Sequence, residues 1–424
     1  MQQKIGRVLL YNRSLVGAGG GERLMFEEAG YFESLGIGVD ILTADYDAAV
    51  HFGSSYRFPI TVLPQRRMHG WPKHLQQLMS MLTEVIDLRR WLLNNKPDVV
   101  IAQRAGDSIP IGIATLFTRT PYVVHINGTV FWFDNAQNLY KYSILHKRVF
   151  DTIRSSLWGH LEFYPREAPN MSLVARLAWE AKAVLMLWGV RRASEVINFT
   201  NRMAWEVELL YRRKGRVIRG AVPRTALNYL PKQDIKAKLG LGGKAIILNV
   251  NRLEKRKRVS LTIRAFSLLA SESKAIHLLI GGTGPEESDL KSLVRVLSLD
   301  DRVSFVGFIP ERDLWDFYGC CDVFVHPNWA DHALAPYEAL AMQKKVVWTT
   351  EMEMEDAALK HNRHIFPADP TAEDLAAAIS SALAAGEVPA DDLSGYTWEN
   401  YCAQVLHVLE GVVERQLKKR DRRG

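Results

Sequence analysis

Short, wholly apolar runs alternate with longer stretches of helical spacing from one end of this chain to the other, and that rhythm leaves few folds open to it. A run such as Tyr122-Val-Val-His-Ile126 or Ala245 to Val250 suits a strand buried on both faces, as in a parallel sheet. The helical stretch after each run supplies the crossover that parallel strands need. The rhythm runs through both halves, and 424 residues exceed one average core. The expectation is an α/β protein of two doubly wound domains: residues 1–228, residues 229–395, and a final helical segment, 396–424.

In the first half, strands are expected at Ile5 to Tyr11, Val39 to Thr43, Asp98 to Ala102, Tyr122 to Ile126, Glu195 to Phe199 and Val217-Ile218. Met25, Ala29, Phe32 and Leu35 predict one helix, stopped at Gly36, and Leu75 to Leu93 another. In the second half, Ala245 to Val250, Ala275 to Ile280, Val303 to Val306, Asp322 to His326 and Lys345 to Thr349 read as strands. Ser260 to Ala270, Thr371 to Ala385 and Thr397 to about Lys418 read as helices, and Leu227 to Asp234 as the linker. The terminal KKRDRRG is expected to be solvated and disordered.

Apolar residues make up 47% and charged residues 24%, the proportions of a globular protein. The apolar run Ala183 to Val190 is bounded by Lys182 and Arg191-Arg192, far short of the roughly 18 residues a membrane span requires. The first residues hold too short an apolar segment for a secretory signal. Three cysteines, two of them adjacent at Cys320-Cys321, suit neither a disulfide framework nor a metal site, and a cytoplasmic location is expected. The net charge of +7 is concentrated: Lys141 to Arg224 holds 16 Lys and Arg against 7 Asp and Glu. Trp132, Trp158, Trp179, Trp188 and Trp205 fall in or beside that stretch, a combination that an anionic membrane face attracts. No nucleic-acid-binding motif accompanies it. Within this helical, basic, aromatic segment of about 130–192, the stripe Leu173, Leu177, Ala181, Val184, Leu185 and Trp188 is expected to pack on the first domain; contact with lipid would require exposed aromatics.

Chemistry-bearing residues collect where strands end. Gly17, Gly19, Gly20 and Gly21 follow the first strand, and Gly281-Gly-Thr-Gly-Pro285 follows Ala275 to Ile280; such turns let backbone N–H groups approach a phosphate or sugar. Asn251-Arg-Leu-Glu-Lys-Arg-Lys-Arg258 follows the first strand of the second domain, where Arg252 and Lys257 can clamp a diphosphate. Phe308-Ile309 brings another strand end to the same rim. His125 and Asn127 share a face at the carboxyl end of their strand, where open α/β sheets bind ligands. In His326 to Val347, Pro336 is expected to open a helix that places Glu338 among unpaired amides.

Taken together these residues resemble the GT-B-fold glycosyltransferases of family 4, retaining enzymes that use nucleotide-sugar donors. The resemblance covers nearly the whole chain and is strongest from Ala245 to Thr349. Gly19-Gly-Gly-Glu22 resembles the family's early glycine loop, Asn251-Arg252 with Lys257 its Arg and Lys diphosphate clamp, Gly281 to Pro285 its glycine turn, and Ala335-Pro-Tyr-Glu338 the second half of its paired-glutamate motif. Two positions depart from the pattern. Ala330 stands where the first glutamate is usual, with Asp331 next to it, and Asn127 stands where a histidine is frequent.

The resemblance implies two Rossmann-like domains facing across a cleft, with the final helix crossing back to the first domain. It implies a nucleotide-diphosphate sugar held by Gly20, Gly21, Gly282, Gly284, Phe308, Ile309, Leu334, Ala335, Pro336 and Glu338, the last gripping the ribose. Arg252 and Lys257 would neutralise the diphosphate as the glycosidic bond breaks, which makes a metal dispensable; no metal or other cofactor is expected. His125, Asn127 and Asp331 are the remaining catalytic candidates, as hydrogen-bonding groups or a weak base toward donor sugar or acceptor hydroxyl. The acceptor would be a saccharide or lipid-linked saccharide, reached in the cytoplasm or peripherally at the membrane face. The alternatives are a non-catalytic nucleotide-sugar-binding partner protein, a nucleotide-sugar epimerase of the same fold, and a transferase to a soluble small molecule.

Overall fold

The structure is a computed structural model, and it describes residues 5–16, 20–47, 58–64, 73–128, 172–220, 222–328, 334–350, 363–387 and 392–422. The described residues divide into two compact units. One comprises the residues up to Gly220 together with Glu399 onward, and the other runs from 222 to Trp398. The division therefore falls at 220/221 and 398/399, against the expected 228 and 396.

The first unit opens with β1 (Arg7–Tyr11), β2 (Ser14–Leu15), α1 (Gly20–Ser34), β3 (Gly38–Thr43), β4 (Asp45–Tyr46), β5 (Ile60–Val62), α2 (Lys73–Asn95) and β6 (Val99–Ala102). It continues through α3 (Ser108–Ala114), β7 (Tyr122–Ile126), α4 (Leu173–Arg192), β8 (Glu195–Asn198), α5 (Asn201–Tyr211) and β9 (Arg216–Val217). Seven strands pair in parallel in the order β5-β3-β1-β6-β7-β8-β9. The chain winds outward in one direction from β1 and in the other from β6, so the strand order reverses between them. Crevices at such a reversal are where open α/β sheets bind ligands. Wholly buried strands such as β6 and β7 form the centre because their runs carry no exposed polar alternate.

The second unit holds α6 (Ile235–Lys238), β10 (Ala245–Val250), α7 (Val259–Glu272), β11 (Ile276–Gly281), α8 (Glu287–Val296), β12 (Val303–Gly307), α9 (Glu311–Cys320), β13 (Val323–His326), α10 (Leu334–Ala341), β14 (Lys345–Thr349), β15 (Ile365–Ala368) and α11 (Ala372–Ala384). Its six-stranded parallel sheet runs β12-β11-β10-β13-β14-β15, with the reversal between β10 and β13. One core, with Ile263, Phe266 and Leu278, lies on one face and another, with Tyr318, Phe324 and Leu340, on the other. The chain leaves this unit at Thr397, bridged to Val222, and α12 (Trp398–Asp421) supplies its residues from Glu399 onward to the first unit.

Three expectations are corrected. The outer residues of α4 are those of the supposed core stripe: Leu173, Leu177 and Val184 are 73%, 61% and 59% exposed, while Ala183, Met186 and Val190 are buried. Trp179 and Trp188 are half-buried. The tail is not wholly disordered, since α12 continues to Asp421 and Lys418 pairs with Glu414 at 2.8 Å one turn back. The linker is partly ordered as well: Arg224–Asn228 forms a 3-10 turn and Asp234 caps α6 by accepting from the Ala237 N–H. Most of the basic segment, 129–171, lies outside the described residues.

Candidate active site

In the second unit two loops are stitched together by their backbones. Beyond β10, the Asn251 N–H donates to the Gly281 carbonyl at 3.1 Å and the Leu253 N–H to the Thr283 carbonyl at 3.0 Å, while the Glu286 N–H donates back to Leu253 at 3.0 Å. The Gly282 N–H reaches the Gly307 carbonyl at 2.7 Å, which adds the end of β12 to the same rim. Both central glycines are demanded by this contact. Gly282 has φ +115°, and a Cβ there would lie 1.8 Å from the Asn251 carbonyl oxygen; a Cβ on Gly284 would lie 2.4 Å from that of Leu253. Beneath the loops, buried Asn249 donates to Thr262 Oγ1 and to the Val325 carbonyl, and accepts from Asn251, which ties β10 to β13 at the strand reversal.

Arg252 and Lys257 thus stand on a fixed loop but in different surroundings. Arg252 is 65% exposed along its side chain, with an Nη 3.0 Å from Glu254. Lys257 is only 9% exposed, on the turn Lys255–Lys257. Within this run of six charges the fold exposes Arg252 and buries Lys257. Phe308 is 71% exposed, but Ile309 points inward, its Cδ1 2.5 Å from where a Gly281 Cβ would be. Phe308 and Ile309 therefore do not present a joint surface. Glu338 is buried and its Oε2 accepts the Tyr318 hydroxyl at 2.9 Å. Because α10 already begins at Leu334, Pro336 lies inside the first turn rather than at its start, and Glu338 one turn in. Leu334 and Ala335 are half-buried and Pro336 buried. Asp331 and Ala330 lie outside the described residues.

In the first unit, α1 begins at Gly20, and a Cβ on Gly21 would sit 3.0 Å from Asn127 Nδ2. The first turn of α1 and the residue after β7 therefore meet, while Gly17 and Gly19 lie outside the described residues. His125 does not join them. It is fully buried, with Nε2 2.9 Å from the Tyr401 hydroxyl and Nδ1 3.1 Å from Glu28 Oε1, the latter too poorly aligned for a hydrogen bond. Tyr401 donates to the same Glu28 oxygen at 3.0 Å and Gln103 donates to the other at 3.0 Å. With no exposure and these partners, His125 has a role in fixing α1, β7 and α12 to one another, and its reading as a substrate ligand is withdrawn. Glu28 and Tyr401 were not legible as partners. The one signal was a glutamate on the face of α1 that also carries Met25, Ala29 and Phe32. Among the described residues no cluster of His, Cys, Asp and Glu is arranged to hold a metal ion, and no helix is long and apolar enough to cross a membrane.

These halves match known families separately. A model described as glycosyltransferase family 4 matches residues 18–224, and one described as glycosyl transferases group 1 matches residues 231–391. The chain belongs to glycosyltransferase family 4. Mannosylfructose-phosphate synthase of Agrobacterium fabrum is 30% identical over 200 residues, 42% of this chain and 43% of that protein. Alpha-monoglucosyldiacylglycerol synthase of Streptococcus pneumoniae is 26% identical over 117 residues, 27% of this chain and 26% of that protein. The chain thus spans less than half the length of these curated relatives. The solved structure of Anabaena HepE in complex with UDP is 15% identical, with a TM-score of 0.62 and coverage of 97% of this chain and 98% of that one. This last likeness gives the family 4 chain its fold, GT-B.

Proposed function

We propose that this glycosyltransferase moves a sugar from a nucleotide-diphosphate sugar to a saccharide or lipid-linked saccharide with retention of configuration. The observation that carries the reading is the stitched rim of the second unit. Arg252 and Lys257 are both carried by a loop pair that backbone hydrogen bonds fix and whose central glycines admit no side chain. Such a rim suits a diphosphate: the arginine offers a planar fork and the lysine a point charge to the leaving group. Glu338, whose Oε2 accepts the Tyr318 hydroxyl, is the residue assigned in this reading to the ribose hydroxyls. HepE, similar in fold, holds UDP. Asn127 beside Gly21 is the candidate contact for the sugar or acceptor. Positive charge from these side chains makes a metal unnecessary for the step. The exposed Leu173, Leu177 and Val184 on α4, with Arg176, Arg191 and Arg192 on the same helix, support an acceptor presented at an anionic membrane face.

Ala330, standing where the family carries its first glutamate, favours the second reading, a partner protein that binds nucleotide sugar without turnover. A panel of nucleotide-diphosphate sugars decides between them. The transferase raises its melting temperature with one donor and releases nucleoside diphosphate from it slowly even without acceptor. A rise in melting temperature with no release selects the partner protein, and no rise with any donor removes both. The anomeric configuration of the transferred sugar, read by NMR, tests retention.

A further inference from the structure

At the strand reversal of the first unit, between β1 and β6, the structure places a second set of cations. Tyr11 and Ala102 are register partners on these neighbouring strands, and Arg13 and Arg104 each follow by two residues, so both leave the sheet at its carboxyl edge side by side. Each arginine is held from behind by a buried carboxylate. Arg13 Nε donates to Glu84 Oε2 at 2.8 Å, the other Glu84 oxygen being taken by the Tyr11 hydroxyl. Arg104 Nε lies 3.3 Å from Asp107 Oδ2, and Asp107 also accepts a backbone hydrogen bond from Arg13. Asp107 therefore fixes the two loops to each other. In both arginines it is Nε that is anchored; among the described residues no group bonds their Nη atoms, so the two guanidinium forks stay available at the surface.

A third cation stands with them. The helix α4 is clamped on the residue after Asp107, since a Cβ on Gly189 would meet Ser108 Oγ at 2.5 Å and its carbonyl oxygen at 2.7 Å. Lys182 lies two turns earlier on the same stripe of α4, its Nζ 5.2 Å from the Trp179 ring. No carboxylate among the described residues pairs with it. Although its side chain is exposed by area, crowding around the ammonium together with the charges of Arg13 and Arg104 holds its pKa below the usual lysine range. Lys182 lies close enough to feel the charges of Arg13 and Arg104, and half-buried Glu22 acts on Arg104 from nearby. An incoming anion meets the cations first, and two anchored forks with a point charge match the oxygens of a phosphate.

We propose that Arg13, Arg104 and Lys182 form a phosphate-binding subsite, and that the acceptor of this transferase carries a phosphate group. That the phosphate belongs to an acceptor rests on the transferase reading; the subsite itself does not. Equilibrium dialysis of the full chain against labelled hexose 6-phosphates, the parent hexoses and glucuronate is the test, with a parallel arm of phosphatidylglycerol vesicles against phosphatidylcholine vesicles. Wild-type protein is expected to bind a phosphate-bearing probe at least tenfold more tightly than its uncharged counterpart, and Arg104→Gln and Lys182→Met are each expected to remove that preference. The soluble and vesicle arms say which source the phosphate has. Lack of any preference for phosphate, equal binding of glucuronate, or a preference that survives both substitutions overturns the subsite. The melting response to nucleotide-diphosphate sugars, read on the same variants, keeps the two conclusions apart. Its persistence shows that the fold and donor side are intact, whereas its absence from the wild type overturns the transferase reading and leaves the phosphate subsite standing without an acceptor.

Discussion

At the reversal between β10 and β13 the chain holds its charged groups by backbone, and at the reversal between β1 and β6 it holds them by side chains. The second unit knits Asn251, Leu253, Gly281 to Thr283 and Gly307 through main-chain hydrogen bonds and uses glycine where the strands of the knot touch. The first unit fixes Arg13 and Arg104 through Glu84 and Asp107, both buried. A backbone rim depends on the absence of side chains and tolerates change in whatever is mounted on it. A side-chain rim depends on ion pairs, which can be exchanged without altering the path of the chain. Within one fold, the first arrangement suits a ligand group common to a whole class of donors, and the second suits one that differs from acceptor to acceptor.

The largest expected effect comes from breaking the knot itself. Gly284→Val puts side-chain carbon against the Leu253 carbonyl and is expected to cost more than about 3 kcal/mol in urea unfolding and to abolish the melting response to donor. A tolerated valine would show that the backbone contact is not what shapes the rim. Next, Arg252→Ala and Lys257→Ala are each expected to lower kcat/KM by roughly ten- to a thousandfold, the range for loss of one charge-stabilising group. Since Arg252 is largely exposed, its variant should keep its melting temperature, and full activity in both variants would dismiss them as the clamp.

Tyr401→Phe tests how the first unit is closed. Removing its hydroxyl leaves Glu28 and His125 short of a partner in a dry interior, at an expected cost of about 1–3 kcal/mol in unfolding free energy. An unchanged stability would mean that α12 is held by its apolar contacts and its outer polar ones, such as Arg415 with Glu195, without help from the Tyr401 hydroxyl. The smallest effect is a pH dependence in the second unit, where burial and the charges of Lys244 and Arg302 hold His277 down at about 4 against an ordinary 6.5. Its folded pKa being depressed, the unfolded chain binds the extra proton, so this contribution to stability is complete above pH 6.5 and declines as pH falls toward 4. Compared with His277→Gln, the wild type should lose about 2 kcal/mol more between roughly pH 7 and pH 4.5, and parallel pH profiles would contradict it.

The fold class was readable because buried parallel strands announce themselves: Tyr122 to Ile126, Ala245 to Val250 and Lys345 to Thr349 appear in the structure with the limits the apolar runs suggest. The face of α4 was not readable. Leu173, Val174 and Leu177 accompany Ala183, Met186 and Val190 around most of the helix, so periodicity does not choose a side, and packing of Gly189 against Ser108 decides it. Strand alternation brought His125 to the carboxyl end of β7 but says nothing about what covers it, and its partner Tyr401 is 276 residues away. Gly282 and Gly284 were legible as a turn, and the reason for them, the carbonyls of Asn251 and Leu253, became visible only in three dimensions. Arg13 and Arg104 carry no motif; only the register of β1 with β6 makes them neighbours.

Because α12 contributes Tyr401 to the interior that Glu28 and His125 occupy, the first unit is assembled from two stretches of chain separated by the whole of the second unit. A ribosome that has finished residue 220 has not yet made the piece that seals this interior, so the earlier half must wait for α12 before its centre is dry. Shuffling of halves between homologues therefore has two seams to match rather than one, and a chimera joined at the midpoint alone would carry a foreign plug in its oldest-synthesised half.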